Sequence, residues 1–448
     1  MQKIGFGLAL IGLVSLSSMV VAASPKQGTA LEIVEGLTTE IGPRLAGTEA
    51  ETRAREWAVK KLKSLGFKNV RIETFDMPVW VRGAETAEII SPFPQKLIVT
   101  ALGNSSATPE TGITAPIIAF DSIPALEEAP TTSIKGKIVF ITHRMRATQD
   151  GSSYGVFGAV RRFGPSIASR KGAAAIVIRS LGTDMTRFAH TGVQNWAPGV
   201  TPIPAGALSL VDAENLERML ARTKTVTMKL VLTPRNLGTQ QSGNVIAEIP
   251  GKDPAAGIVA IGGHLDSWDL GTGAFDDAAG LAITTAAAKG LLDTKKKPRR
   301  TVRVIWFGAE EVGIFGGNAY LKAHGNEPHA LVSESDFGAD RVWRVDFKLP
   351  DSAKPLADRL KRALAPLGIA ASTEIAGGGP DFGPIARTGV SAIDLQQDGT
   401  RYFNLHHTAN DTFDKIDPLQ LRQNVEAWSI MLDLVANAPE DLMPAKAK

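Results

Sequence analysis

The sequence predicts an α/β fold: a mainly parallel central sheet flanked by helices, interrupted by a small β-rich α/β module. Three observations carry this. From Gly243 onward, apolar strand-like runs alternate with segments of helical spacing, the pattern of parallel sheets with helical crossovers. Between Pro92 and Arg235 the texture changes to short β-like runs separated by Gly-, Pro- and Ser-rich loops. The chain has 448 residues, 44% hydrophobic and 21% charged, enough for two or three domains with ample cores.

The N-terminus reads as a secretory signal over residues 1–23. Lys3 supplies the charge, Ile4 to Leu16 the short apolar stretch, and Val21-Ala22-Ala23 the small residues for cleavage. That stretch is too short to span a bilayer well, and no other segment approaches a span. A secreted or periplasmic protein with no stable membrane span after cleavage is expected.

Thr48-Glu49-Ala50-Glu51 forms a capping-box pattern. Ala54, Trp57, Ala58, Leu62 and Leu65 follow at helical spacing, with Trp57 in the core, and Gly66 ends the helix. Val70 to Phe75 reads as a strand. Residues 24–91 and 236–448 make one discontinuous domain around an insertion at 92–235. Within the insertion, strands are expected at Lys137–Ile141, Ala173–Ile178 and Ala205–Ser209, and a helix at Asp212–Leu220. His143 and His190 lie there without metal-type neighbours in sequence and are expected to be ordinary residues.

In the second segment, strands are predicted at Asn244–Ile249, Ile258–Ile261, Thr301–Phe307, Ala330–Ser333 and Val390–Asp394. Helices are predicted at Ala278–Leu292, Gly316–Ala323, Ala353–Ala365 and Pro418–Ala436, the last opened by Asp417-Pro418. Lys295-Lys296-Lys297 with Arg299-Arg300 reads as a solvated turn. Net charge is +3, from 49 basic and 46 acidic residues, which argues against a nucleic-acid partner or an anionic membrane surface. There is no cysteine, so any metal site must use His, Asp and Glu, which suits zinc, manganese or cobalt.

Such residues fall at strand ends. His264 follows the run Ile258 to Gly263, Glu310 and Glu311 follow Thr301–Phe307, Asp336 follows Leu331-Val332-Ser333, and His407 follows Val390–Asp394 through a long loop. Ligands of open α/β sheets collect outside those ends. Asp266 can accept a hydrogen bond from the His264 nitrogen turned away from a metal, or orient the set through backbone groups. Asp276 starts a helix beyond Gly271-Thr272-Gly273, where its carboxylate can bridge two cations. Of the two glutamates, one binds metal and the other moves a proton; side by side they would repel without cations.

These motifs carry a resemblance. Gly262-Gly263-His264-Leu265-Asp266-Ser267, Asp276-Asp277-Ala278-Ala279-Gly280, Phe307-Gly308-Ala309-Glu310-Glu311-Val312-Gly313, Glu334-Ser335-Asp336 and His407-Thr408-Ala409-Asn410-Asp411-Thr412 resemble the motif set of co-catalytic zinc exopeptidases, the family of bacterial zinc aminopeptidases and carboxypeptidase Q. Ile41-Gly42-Pro43-Arg44-Leu45-Ala46-Gly47, Trp268 and the doubled His406-His407 add to it, and the middle module resembles a protease-associated domain. The resemblance implies two Zn2+ per chain. Asp276 would bridge them, His264 and Asp336 would complete one site, and Glu311 and His407 the other. It also implies Glu310 as general base and then acid on a bridging water, with Asp266 beside it among the catalytic residues. The implied substrates are dipeptides or short peptides, and the implied assembly is a homodimer.

His406 is expected either to shape the pocket or to be a satisfied neighbour, Tyr402 to pack rather than to donate to an oxyanion, and the divergent loop at Asp381 receives no role. Arg341, Arg344 and Arg401 are positioned to meet a substrate carboxylate, although surface ion pairs fit each better. An aminopeptidase for longer peptides, a non-catalytic binding protein and a single-zinc glutaminyl cyclase-like enzyme are the alternatives on the same scaffold.

Overall fold

A computed structural model describes residues 25–444, so the signal segment expected at 1–23 lies outside the described residues. The first sheet has eight strands in the order Lys68–Val81, Arg235–Ile249, Thr301–Phe307, Ile258–His264, His329–Glu334, Ala392–Gln397, Val342–Lys348 and Ala370–Ala371. The four central strands, from Thr301–Phe307 to Ala392–Gln397, run parallel. Three of them are buried along nearly their whole length, as parallel strands covered on both faces must be. Helices Pro25–Gly36, Ala279–Asp293 and Pro418–Asn437 pack together on one face. Phe307, Tyr320 and Phe382 pack edge to face on the other.

The second sheet also has eight strands, in the order Gln95–Leu97, Glu85–Ser91, Thr227–Leu232, Ile113–Phe120, Ile138–Ile141, Ala175–Arg179, Ala205–Leu208 and Val99–Ala101. It reaches upstream of residue 92, because Glu85–Ser91 pairs antiparallel with Thr227–Leu232. The chain enters and leaves this unit along the long antiparallel ribbon of Lys68–Val81 and Arg235–Ile249. The 19-residue helix Ser152–Arg170 was not legible in the sequence. Three glycines, Pro165 and the exposed Val156 and Phe163 blur its apolar stripe. 

The basic run before Thr301 is not wholly solvated as expected. Arg300 is only 1% exposed, and its guanidinium donates to the carbonyls of Ala256, Val435, Ala438 and Glu440. It ties off the C-terminal end of helix Pro418–Asn437, where orphan carbonyls need donors.

The capping pattern at Thr48 has a tertiary purpose. The Thr48 hydroxyl accepts from the Glu51 N–H at 3.4 Å, and the Glu51 carboxylate accepts from Gly47 N at 3.2 Å and Ser242 Oγ at 2.9 Å. Arg55 Nε lies 3.3 Å away. Burial pushes the Glu51 carboxyl up to about 7 despite Arg55, against roughly 4.3 for an unfolded glutamate. The folded chain therefore holds this proton more tightly than the unfolded one. Its contribution is full below about pH 4.3 and is lost as pH rises through 7, at up to about 1.4 kcal/mol per pH unit. In urea unfolding with chelator present, Glu51→Gln should flatten the fall in stability between pH 5 and 7; parallel curves for the two proteins would refute this.

Candidate metal centre

His264 is the last residue of its strand, Glu310 and Glu311 occupy the turn after Thr301–Phe307, and Asp336 lies two residues past His329–Glu334. Because these strands are parallel, the three sites share one edge. Asp276 comes to the same edge from the turn before helix Ala279–Asp293, and His407 from the loop after the short helix Tyr402–Leu405. His264 Nε2 lies 3.1 Å from Asp276 Oδ1 and 3.4 Å from Asp336 Oδ1. His407 Nε2 lies 2.7 Å from Glu311 Oε2 and 3.3 Å from Asp276 Oδ2. The structure thus gathers all five expected ligands, with Asp276 touching both imidazoles.

The surrounding hydrogen bonds sort the atoms that face inward from those that are held. His264 Nδ1 donates to the Asp266 main-chain carbonyl at 2.9 Å, which frees the Nε2 lone pair. The Asp266 carboxylate instead accepts from the Glu310 and Glu311 N–H groups, at 3.1 and 3.3 Å, so it braces the glutamate turn rather than the His264 ring. Asp277 accepts from His264 N and Gly280 N, which occupies both its oxygens. Asp411 accepts from the N–H groups of Ala274, Phe275 and Asp276. Arg44, fully buried, donates to the carbonyls of Leu265, Thr272 and Gly273. Trp268 N–H donates to Glu311 Oε1 at 3.2 Å. By contrast, Asp276 Oδ2 is buried without a hydrogen bond.

Burial pushes the carboxyls of Glu310 and Glu311 well above their usual range, and neighbouring carboxylates add to it. For His264, burial opposes the charge, but Asp336, Asp266 and Asp276 outweigh it and hold its pKa well above the ordinary value. Without cations the cluster must take up protons to relieve its own repulsion. Imidazole nitrogens and carboxylate oxygens, buried together and including an Asp276 oxygen without a hydrogen bond, fit divalent metal.

One imidazole here was not expected. His190 was read as an ordinary residue, yet its Nε2 lies 2.8 Å from His406 Nδ1, and His406 Nε2 is 3.3 Å from Asp276 Oδ2. The adjacent Thr191 carbonyl accepts from His407 Nδ1 at 3.0 Å and from Arg161 Nη1 at 2.8 Å. These residues come from the second unit, and no sequence spacing links them to a partner 216 positions away. His143 stays apart, stacked on Phe157. Tyr402 packs against Phe337 and His406. Asp381 is buried nearby, accepting from Gly317 N. Arg401 is paired with Asp340 and Arg344 with Asp346, while Arg341 bonds the Leu367 carbonyl.

Three cavities of about 520, 540 and 520 Å³ are lined by none of the expected metal ligands. A smaller one, about 170 Å³, sits in the seam between the units, walled by Met77, Val79, Trp80, Val193, Trp268 and Phe315 among others. Trp268 also walls the space containing Asp276, Glu311 and His407.

Residues 244–431 match the model of peptidase family M28. The chain is 32% identical to bovine (Bos taurus) carboxypeptidase Q over 420 residues, covering 93% of this chain and 87% of that protein. The crystal structure of a peptidase M28 precursor from Shewanella amazonensis superposes with a TM-score of 0.91 at 47% identity, covering 94% and 97% of the two chains. A zinc aminopeptidase from Bacillus subtilis shares the fold, with a TM-score of 0.65 at 21% identity and coverage of 94% and 96%.

The adjacent histidines are both bonded at Nδ1 and both turn Nε2 toward Asp276 Oδ2 at 3.3 Å, but the His407 Nε2 also lies 2.7 Å from Glu311 Oε2. His407→Ala should therefore lose about half of the bound divalent metal measured by mass spectrometry, and His406→Ala should retain it. The reverse result would exchange their roles.

Proposed function

The chain belongs to peptidase family M28, and on that premise we propose that it is an exported two-zinc exopeptidase acting on dipeptides or short peptides. The observation that carries this is Asp276, whose Oδ1 lies against His264 and whose buried Oδ2, without a hydrogen bond, lies against His407. On this reading His264, Asp336 and Asp276 hold one ion, and Glu311, His407 and Asp276 the other. Bound there, the ions supply Lewis acidity toward water and a peptide carbonyl.

The chain's own residues do the rest. Asp266 fixes the turn through the N–H groups of Glu310 and Glu311, so the two side chains diverge in task. Glu311 is tied to Trp268 N and lies against His407, while the Glu310 carboxylate is the one left to accept the proton of the attacking water and return it to the leaving amine. Burial raises its proton affinity, which suits a group that must both take and release a proton.

The second unit closes over the site through His190 and Thr191, which favours short substrates over a through-running chain. The seam cavity, about 170 Å³ and walled largely by apolar side chains, has room for one apolar side chain, since about 150 Å³ accommodates a benzene ring. Export rests on Lys3, the apolar Ile4 to Leu16 and Val21-Ala22-Ala23. A homodimer is the expected assembly, measurable by light scattering.

Chelation should abolish dipeptide hydrolysis and zinc should restore it, with about two zinc ions per chain; one per chain would favour a cyclase-like site. Glu310→Gln should keep its zinc yet lose turnover by about 10²–10⁴-fold or more. Near-normal turnover in that variant would remove Glu310 from the scheme.

A further inference from the structure

Six arginines are buried among the described residues, and five of them meet carboxylates or several main-chain carbonyls. Arg44 and Arg300 are each wrapped by main-chain carbonyls. Arg55 faces Glu51, Arg179 faces Glu214 and Glu217, and Arg303 faces Glu248 and Glu327. Arg161, in helix Ser152–Arg170 of the inserted unit, is the exception. It is 5% exposed, donates one hydrogen bond from Nη1 to the Thr191 carbonyl, and has no partner at Nε. No carboxylate lies within ion-pair distance of it among the described residues. Its other neighbour is Tyr154, whose ring centroid lies 5.5 Å from the guanidinium carbon and whose neutral hydroxyl it also meets.

A guanidinium stays charged at every accessible pH, and a buried charge is costly unless an anion meets it. Its position says which anion. Thr191 O is shared by Arg161 Nη1 and His407 Nδ1, so the guanidinium stands one carbonyl away from a proposed zinc ligand. The Gly192 backbone passes close against both, since a Cβ there would lie 2.1 Å from Arg161 Nη1 and 2.8 Å from His407 Nδ1. One residue of extended chain spans about 3.3–3.6 Å. Arg161 Nη1 and His407 Nδ1 lie 2.8 and 3.0 Å from the same oxygen, so they are separated by less than two residues of extended chain.

We infer that Arg161 receives the free C-terminal carboxylate of the substrate, so that the inserted unit selects short peptides with an unblocked carboxyl end. This rests on the peptidase reading above and assigns to Arg161 the task for which Arg341, Arg344 and Arg401 were considered. A carboxylate matches the guanidinium fork, whereas a carboxamide offers one weaker acceptor and no charge.

The test is equilibrium binding, by calorimetry, of Ala-Leu and of Ala-Leu amide to the zinc-loaded Glu310→Gln protein. With Arg161 present, the free acid should bind at least about 30-fold tighter than the amide. Adding Arg161→Met should bring the acid down to the level of the amide, leaving amide affinity within about threefold. Adding Arg161→Lys should restore part of the preference. Equal binding of acid and amide with Arg161 present, or equal losses of both in the Met variant, would overturn the inference and leave Arg161 a structural cation. If the Met variant does not fold, the acid-to-amide ratios of the Arg and Lys proteins decide the matter: an unchanged ratio overturns it. Failure of the peptidase reading would show separately, as no chelator-sensitive dipeptide turnover by the unmodified chain.

Discussion

The fold's central problem is electrostatic: Asp276, Glu311, Asp336 and Glu310 crowd around two imidazoles in a region nearly free of solvent. Like charges this close repel by several kcal/mol even at an effective dielectric of about 20. The molecule manages this by splitting its acids into two groups. Asp266, Asp277 and Asp411 each accept two or three backbone N–H bonds and serve as braces. The others keep oxygens facing one another and depend on cations for neutrality. The braces set the positions of the ligands before any cation arrives, which is what preorganised sites require.

That arrangement constrains the backbone around it. A Cβ at Gly263 would lie 2.2 Å from Asp277 Oδ2, and one at Gly280 would lie 1.8 Å from the Ser335 carbonyl. Both positions must be glycine for helix Ala279–Asp293 to settle against the strand end and present Asp276. His407 takes a positive φ of 57°, unfavourable for a side chain with a Cβ. Its carbonyl accepts from Thr191 N while its ring bonds Thr191 O, so one residue of the inserted unit secures it on both sides.

The parts of this site that sequence could reveal were those governed by local order. His264, Glu310, Glu311 and Asp336 each follow an apolar strand run within a few residues, and parallel strands must bring such ends to one edge. Asp276 was legible because small residues and a helix follow it. What sequence concealed was long-range. Arg300 looked like part of a solvated basic run because its carbonyl partners are distant in sequence, at Ala256 and in the C-terminal segment more than a hundred positions away. His190 looked ordinary because its neighbour, His406, is brought to it only by docking of two sheets. Arg161 lay in a helix whose glycines and proline hid its periodicity, so even its burial was invisible.

The inserted unit therefore cannot be treated as an appendage. Trp268 stands in the wall of the seam cavity, donates its N–H to Glu311 and meets the His407 ring at 5.5 Å, edge to face. Thr191 holds His407 and Arg161 through one oxygen. A shift of the inserted unit against the first sheet would move the seam, one proposed zinc ligand and the proposed carboxylate receiver together. On the proposed reading, substrate choice and metal geometry are coupled in this chain because they share those two residues, one from each side of the seam.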